Sequence, residues 1–197
     1  PPATRTLALD ISAEAARLYD LVENLLVIAR LERRILDPLD EPVDLARTVD
    51  SAVRTLAERF PAARVVRTGV RRPAPVHGDA TYVEQAVRNL LLAAITVTEG
   101  AADQSIEVRV DVDEPGREVA VRVLDRGPAL LPEELERAFE LPSTSATGRL
   151  ANMGMGPFVV RHAVDAMNGR TWARNREDGG LEMSFALPLD EGPERRR

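Results

Sequence analysis

Leu124-Asp125-Arg126-Gly127-Pro128 ends an apolar run with a carboxylate and a glycine turn, and Asn152-Met153-Gly154-Met155-Gly156-Pro157 sets two more glycines just ahead of a helical pattern. An ionised carboxylate has only acceptors, so Asp125 at a strand end suits a ligand that presents an amine. Taken alone, Asp-x-Gly-Pro is also an ordinary turn. Gly154 and Gly156 can adopt positive φ and let phosphate oxygens approach backbone N–H groups. Pro157 fits the first turn of a helix, whose positive end would face such an anion. Glu84-Gln85-Ala86-Val87-Arg88-Asn89-Leu90-Leu91 puts Asn89 in mid-helix, an unfavourable place for Asn unless its amide has a role. An acidic residue and two glycine turns in this order read as a nucleotide pocket. From Leu141 to Arg149 the chain is small and polar, as a mobile cover over that pocket would be. Arg149 is the cation of this stretch, placed either to reach a phosphate or to lie solvated on the surface.

The elements that must position these residues follow from periodicity. From Leu7 to Ile35, apolar residues at Ile11, Leu18, Leu21, Leu25, Ile28 and Ile35 trace one stripe of a long helix, widened by Val22, Leu26 and Ala29. Such a helix calls for a bundle partner from another helix or subunit. Pro38 and Pro42, among Asp37, Asp40 and Glu41, break it and predict a hinge over 38–43. Asp44 then caps a helix with an apolar face at Leu45, Val49, Ala52, Val53 and Leu56. Arg64 to Arg67 and Pro75 to His77 are short strand candidates, and Gly78-Asp79 leads into a helix from Ala80 to about Thr98. Ile106 to Val112 and Val119 to Leu124 alternate with period two around Glu114-Pro115-Gly116, which predicts an antiparallel hairpin. Helices are expected over Glu133 to Phe139 and Pro157 to Met167. Thr171 to Arg174 and Leu181 to Leu187, split by Asp178-Gly179-Gly180, predict a final hairpin. The expected fold class is α+β: a two-layer sandwich of a mixed, mostly antiparallel sheet with helices on one face, preceded by a long N-terminal bundle helix. The expected segments are 1–37 for that helix, 38–43 for the hinge, 44–190 for the compact domain and 191–197 for a polar, frayed tail.

Composition agrees with a folded domain: 197 residues, 44% hydrophobic and 29% charged. The chain opens on Pro1-Pro2 with no leader pattern, and its longest apolar run, Leu90 to Ile95, is far short of a membrane span, so a soluble piece of a longer protein is expected. With no Cys, disulfides and thiolate metal sites are out, which suits the cytoplasm. A net charge of −6 gives no reason to expect nucleic acid. Every basic side chain is Arg, so a phosphate would be met by guanidinium, backbone N–H or a helix end.

The three segments together resemble the ATP-binding region of sensor histidine kinases, and the likeness runs from the long first helix to the last strand. The resemblance implies that Asp125 accepts a hydrogen bond from the adenine amine, Gly127 shapes the base pocket, Asn89 faces the phosphates, and Gly154 and Gly156 anchor the cover. It implies ATP as ligand, γ-phosphoryl transfer to a histidine and then to a response regulator, and a homodimer built through an upstream dimerisation helix. Phe139 matches the phenylalanine expected before the cover. Elsewhere the sequence departs from the pattern. Ala93 stands where a second Asn would hold Mg²⁺, and a methyl group offers that ion no oxygen. Thr96 replaces a common Lys, Val97 an aromatic residue, Ala129 a Gly of the first glycine box, and Asn152 a Gly of the second. The two histidines, His77 and His162, lie away from the place of a phosphoacceptor. The adenine side is therefore preserved and the metal and phosphate side altered. The competing reading is a pseudokinase or interaction module with weak or no ATP binding. An anti-sigma-type serine kinase shares the domain, but does not need the stripe before Pro38.

Overall fold

The computed structural model describes residues 15, 18–30, 39–101, 103–113, 115, 117–142 and 148–190. The chain divides into two compact units, Pro1–Leu36 and Asp37–Arg197. In the first unit, residues 18–30 form helix α1, with Leu18, Leu21, Val22, Leu25 and Leu26 exposed. Ile11 and Ile35, at the two ends of the predicted stripe, fall outside the described residues. So does the tail from 191 to 197.

The second unit is the α+β layer expected. Asp44 caps α2, Leu45–Arg59, by accepting from the Arg47 amide at 3.4 Å. The same oxygen takes the Ala74 amide at 3.2 Å, so the cap also ties down a remote loop. Asp79 caps α3, Ala80–Thr98, accepting from Thr81 N at 2.8 Å and Tyr82 N at 3.4 Å. The strands are β1 (Glu41–Asp44), β2 (Arg64–Gly69), β3 (Pro75–Gly78), β4 (Ser105–Asp113), β5 (Glu118–Leu124), β6 (Arg170–Asn175) and β7 (Leu181–Pro188). Five of them form one sheet in the order β2-β4-β5-β7-β6, with β2 parallel to β4 and the other pairs antiparallel. The two predicted hairpins are β4–β5 and β6–β7. One face of β5 and β7, led by Val121, Val123, Leu181 and Phe185, is fully buried, as are Val83, Val87, Val159 and Val164 of the helices. This alternation sets the register, since a one-residue slip would turn the buried set outward.

Three local details differ from the sequence expectations. Residues 41–43, assigned to a hinge, belong to β1, which pairs antiparallel with β3 in a second, two-stranded sheet. Proline breaks a helix, but it is tolerated in a strand that has a single pairing neighbour. His77 on β3 fastens this small sheet, with Nδ1 3.0 Å from Asp40 Oδ1 and Nε2 3.1 Å from Asp190 Oδ1. The helix expected over Glu133 to Phe139 is the shorter α4, Pro132–Glu136, followed by turns. A further short helix, α5 (Gly148–Asn152), begins at the end of the stretch read as a mobile cover and precedes α6 (Gly156–Ala166). Residues 143–147 of that stretch lie outside the described residues.

Candidate nucleotide-binding site

Asp125 is the first residue beyond β5, and the backbone around it is held from the neighbouring hairpin. Its amide donates to the Leu181 carbonyl at 3.0 Å, and its own carbonyl accepts from Arg176 Nη1 at 3.3 Å. The β6–β7 turn presses on the same peptide. A Cβ on Gly180, whose φ is +96°, would stand 2.0 Å from the Asp125 carbonyl oxygen, so only glycine fits. Gly180 and Arg176 thus position the carboxylate. The sequence marks Asp178-Gly179-Gly180 as a turn, yet nothing in it says where that turn lands.

The Asp125 side chain is 2% exposed. One carboxylate oxygen, Oδ1, accepts from the Gly127 amide at 2.8 Å, which makes the turn of Asp-x-Gly an Asx-type closure. The other, Oδ2, accepts from Arg149 Nη2 at 2.5 Å, and Arg149 Nη1 donates to the Pro128 carbonyl at 2.6 Å. The Arg149 side chain is 3% exposed. This corrects the expectation of a solvated arginine: α5 turns Arg149 inward, where burial of a guanidinium requires a carboxylate partner. A five-residue helix opened by a glycine has too little periodicity to show its inward face in sequence.

Gly127 lies beneath that guanidinium. A Cβ there would come within 2.5 Å of Arg149 Nη1, 3.2 Å of Asp125 Oδ1 and 3.3 Å of Val97 Cγ2. Asp125, Gly127, Arg149 and Val97 of α3 therefore share one small volume. Two turns earlier on α3, Asn89 is buried and meets the start of α6: a Cβ on Gly156 would lie 3.3 Å from the Asn89 carbonyl oxygen and 3.4 Å from its Oδ1. Ala93, between Asn89 and Val97, is also buried. Gly154, in the turn between α5 and α6, has φ +63° and open space where a side chain would be. Helix α3 thus carries both groups, Val97 beside Asp125 and Asn89 beside Gly156. Phe139 is placed differently, in a cleft of about 350 Å³ formed with Leu135, Arg161 and Trp172. No group of three or more His, Cys, Asp or Glu able to hold a metal occurs among the described residues. No helix among them is long and apolar enough to cross a membrane.

Residues 78–191 match the family model described as histidine kinase-, DNA gyrase B-, and HSP90-like ATPase. The sensor protein CutS of Streptomyces coelicolor is 32% identical over 172 residues, which is 86% of this chain and 40% of CutS. The probable sensor histidine kinase TcrY of Mycobacterium tuberculosis is 30% identical over 184 residues, covering 91% of this chain and 37% of TcrY. The chain therefore spans well under half the length of these curated relatives. Among solved structures, the mycobacterial sensor histidine kinase MprB superposes with a TM-score of 0.63 at 23% identity, over 77% of this chain and 98% of that one. The Acinetobacter baumannii histidine kinase AdeS gives 0.69 at 18% identity, over 90% and 81%. The two superpositions show a common fold.

Proposed function

Because this chain belongs to the histidine kinase-, DNA gyrase B-, and HSP90-like ATPase family, and is an ATP-binding domain of the two-component sensor histidine kinase type, we propose that it binds adenine nucleotide at the end of β5. The observation that carries this is Asp125, a buried carboxylate fixed at a strand end by Gly127, Arg176 and the Gly180 turn. In the proposed complex it accepts a hydrogen bond from the adenine amine, and Gly127 leaves room for the ring. Asn89, Gly154 and Gly156 face the phosphates, where the backbone N–H groups at the start of α6 favour an anion. ATP would supply the transferable γ-phosphoryl group. In the parent protein that group passes to a histidine and then to a response-regulator aspartate, a transfer governed by positioning and charge stabilisation. The exposed apolar residues of α1 supply a surface for a dimerisation partner helix, and a cytoplasmic setting fits this chemistry.

The fit to Mg²⁺ is poor. That ion takes near-octahedral oxygen ligands, and Ala93, one turn beyond Asn89, supplies none. The substitutions at Ala93 and Thr96 therefore weaken the metal and phosphate side while leaving the base side intact. Calorimetric titration with ATP tests the reading: weak binding that changes little on chelation of Mg²⁺, and that falls at least about tenfold in Asp125→Ala, is the expected outcome for loss of a charged acceptor. Unchanged affinity in Asp125→Ala would remove the adenine assignment. Tight binding that collapses on chelation would show instead that the altered metal side is intact in function.

A further inference from the structure

We propose that Arg149 is an internal competitor for the adenine subsite, so that the base of a nucleotide reaches Asp125 only by displacing this guanidinium. The inference rests on the nucleotide reading above. Its starting point is that the carboxylate assigned to the base is already engaged. Both Asp125 oxygens accept hydrogen bonds, Oδ1 from Gly127 and Oδ2 from Arg149. The guanidinium also fills the space beside Gly127, which the nucleotide reading assigns to the ring.

The substitution follows from chemical likeness. A guanidinium is a planar group with N–H donors along its edge, and an aminopurine is a planar group that presents an N–H donor from its exocyclic amine. Either can serve the same carboxylate oxygen, and steric exclusion allows one at a time. The arginine is also incompletely satisfied. Nη1 and Nη2 have partners, but Nε is buried without one. Release to water would restore the missing hydrogen bond of Nε, while the ligand's amine takes over the oxygen that Nη2 gives up. The complete cluster around Glu182 on the same sheet has no such defect.

Arg149 also sits where it can be moved. It is the second residue of α5, directly after Gly148, which has φ +63° with nothing within 4 Å of its Cβ position. A short helix has few internal hydrogen bonds to lose when it reorients. The consequence is a specificity effect: any ligand that displaces Arg149 without a donor able to replace Nη2 leaves Asp125 Oδ2 buried and unpaired. Guanine presents an acceptor oxygen where adenine has its amine, so it is rejected twice, by the carboxylate and by the arginine that remains in place.

The test uses the whole chain and titrates adenosine and ATP, separately, into wild type and Arg149→Met by calorimetry, with Arg149→Gln as a second variant in case the first folds poorly. Removing a competitor that occupies most molecules should tighten adenosine binding by about tenfold or more, since apparent affinity scales with the competent fraction. ATP should gain by a similar factor. Wild-type protein offers an independent readout: trypsin cleavage after Arg149 should accelerate when adenosine is added, as the side chain leaves its buried site. Adenosine affinity that is unchanged or weaker in both variants overturns the proposal, as does cleavage that is unchanged or slower. A loss of ATP affinity with adenosine unaffected also overturns it and makes Arg149 a phosphate contact, leaving the nucleotide reading in place. Absence of any adenosine or ATP binding in wild type and variants alike would overturn that reading, and this inference with it.

Discussion

Asp125 and Glu182 are both buried carboxylates paired with arginine, the first just beyond the end of β5 and the second on the adjacent β7, yet their surroundings differ in kind. Glu182 Oε1 accepts from Arg122 Nη1 at 2.9 Å, Ser184 Oγ at 3.0 Å and Trp172 Nε1 at 3.3 Å, and Oε2 accepts from Arg174 Nη2 at 2.8 Å. Its arginines keep one side in water, with side-chain exposures of 25% for Arg122 and 60% for Arg174. Asp125 has one backbone donor and one arginine, and that arginine is buried with an unpartnered Nε. The first cluster is redundant and solvated at its rim. The second is minimal and dry. Redundancy suits a structural brace across strands, whereas a minimal pair can be taken apart by a ligand that replaces one of its two bonds.

That contrast can be broken by mutation. Asp125→Ala is expected to have the largest effect, a loss of about 3–5 kcal/mol in equilibrium urea unfolding, because the Gly127 and Arg149 hydrogen bonds to a charged group, each worth roughly 1.5–3 kcal/mol, are lost together. Glu182→Gln should cost less, about 1–2 kcal/mol, since Arg122 and Arg174 can turn to water. If Glu182→Gln proves the more damaging, the ranking of dry above solvated pairs is wrong for this protein.

Acid sharpens the same comparison. Burial acts to raise the Glu182 pKa, but hydrogen bonds from Arg174, Arg122 and Ser184 outweigh it and hold the carboxyl below its ordinary value of 4.5. A carboxyl that binds its proton less readily when folded stabilises the fold above its unfolded pKa, and this contribution is lost as pH falls through the lower, folded value. The stability gap between wild type and Glu182→Gln should therefore narrow progressively below pH 4.5. A gap that stays constant down to acid unfolding would mean that Glu182 is not an ionised brace.

The smallest effect is expected for Ser184→Ala. It removes a single hydroxyl donor from a carboxylate that keeps its other partners, so roughly 0.5–1.5 kcal/mol should be lost. A larger loss would show that the donors around Glu182 act together and are not interchangeable.

Much of the molecule could be read from local pattern, because period-two and helical alternation report directly which face meets the core. The β4–β5 and β6–β7 hairpins, the caps at Asp44 and Asp79, and the location of Asp125 at a strand end are all of this kind. Gly156 beside Asn89 was legible only as two separate anomalies, an Asn in mid-helix and a glycine at a helix start; packing is what joins them. Pro42 was misleading, since its effect on a helix is strong and its tolerance in β1 depends on having β3 alongside. By itself, then, the sequence determined the layer architecture, the caps and the candidate carboxylate, all of which depend on neighbours a few residues away. Only the tertiary structure decided that the Gly180 turn seats the Asp125 peptide and that Arg149 is turned inward against its carboxylate. Both are contacts between residues far apart in the chain, and burial of a charge is set by what the fold places around it.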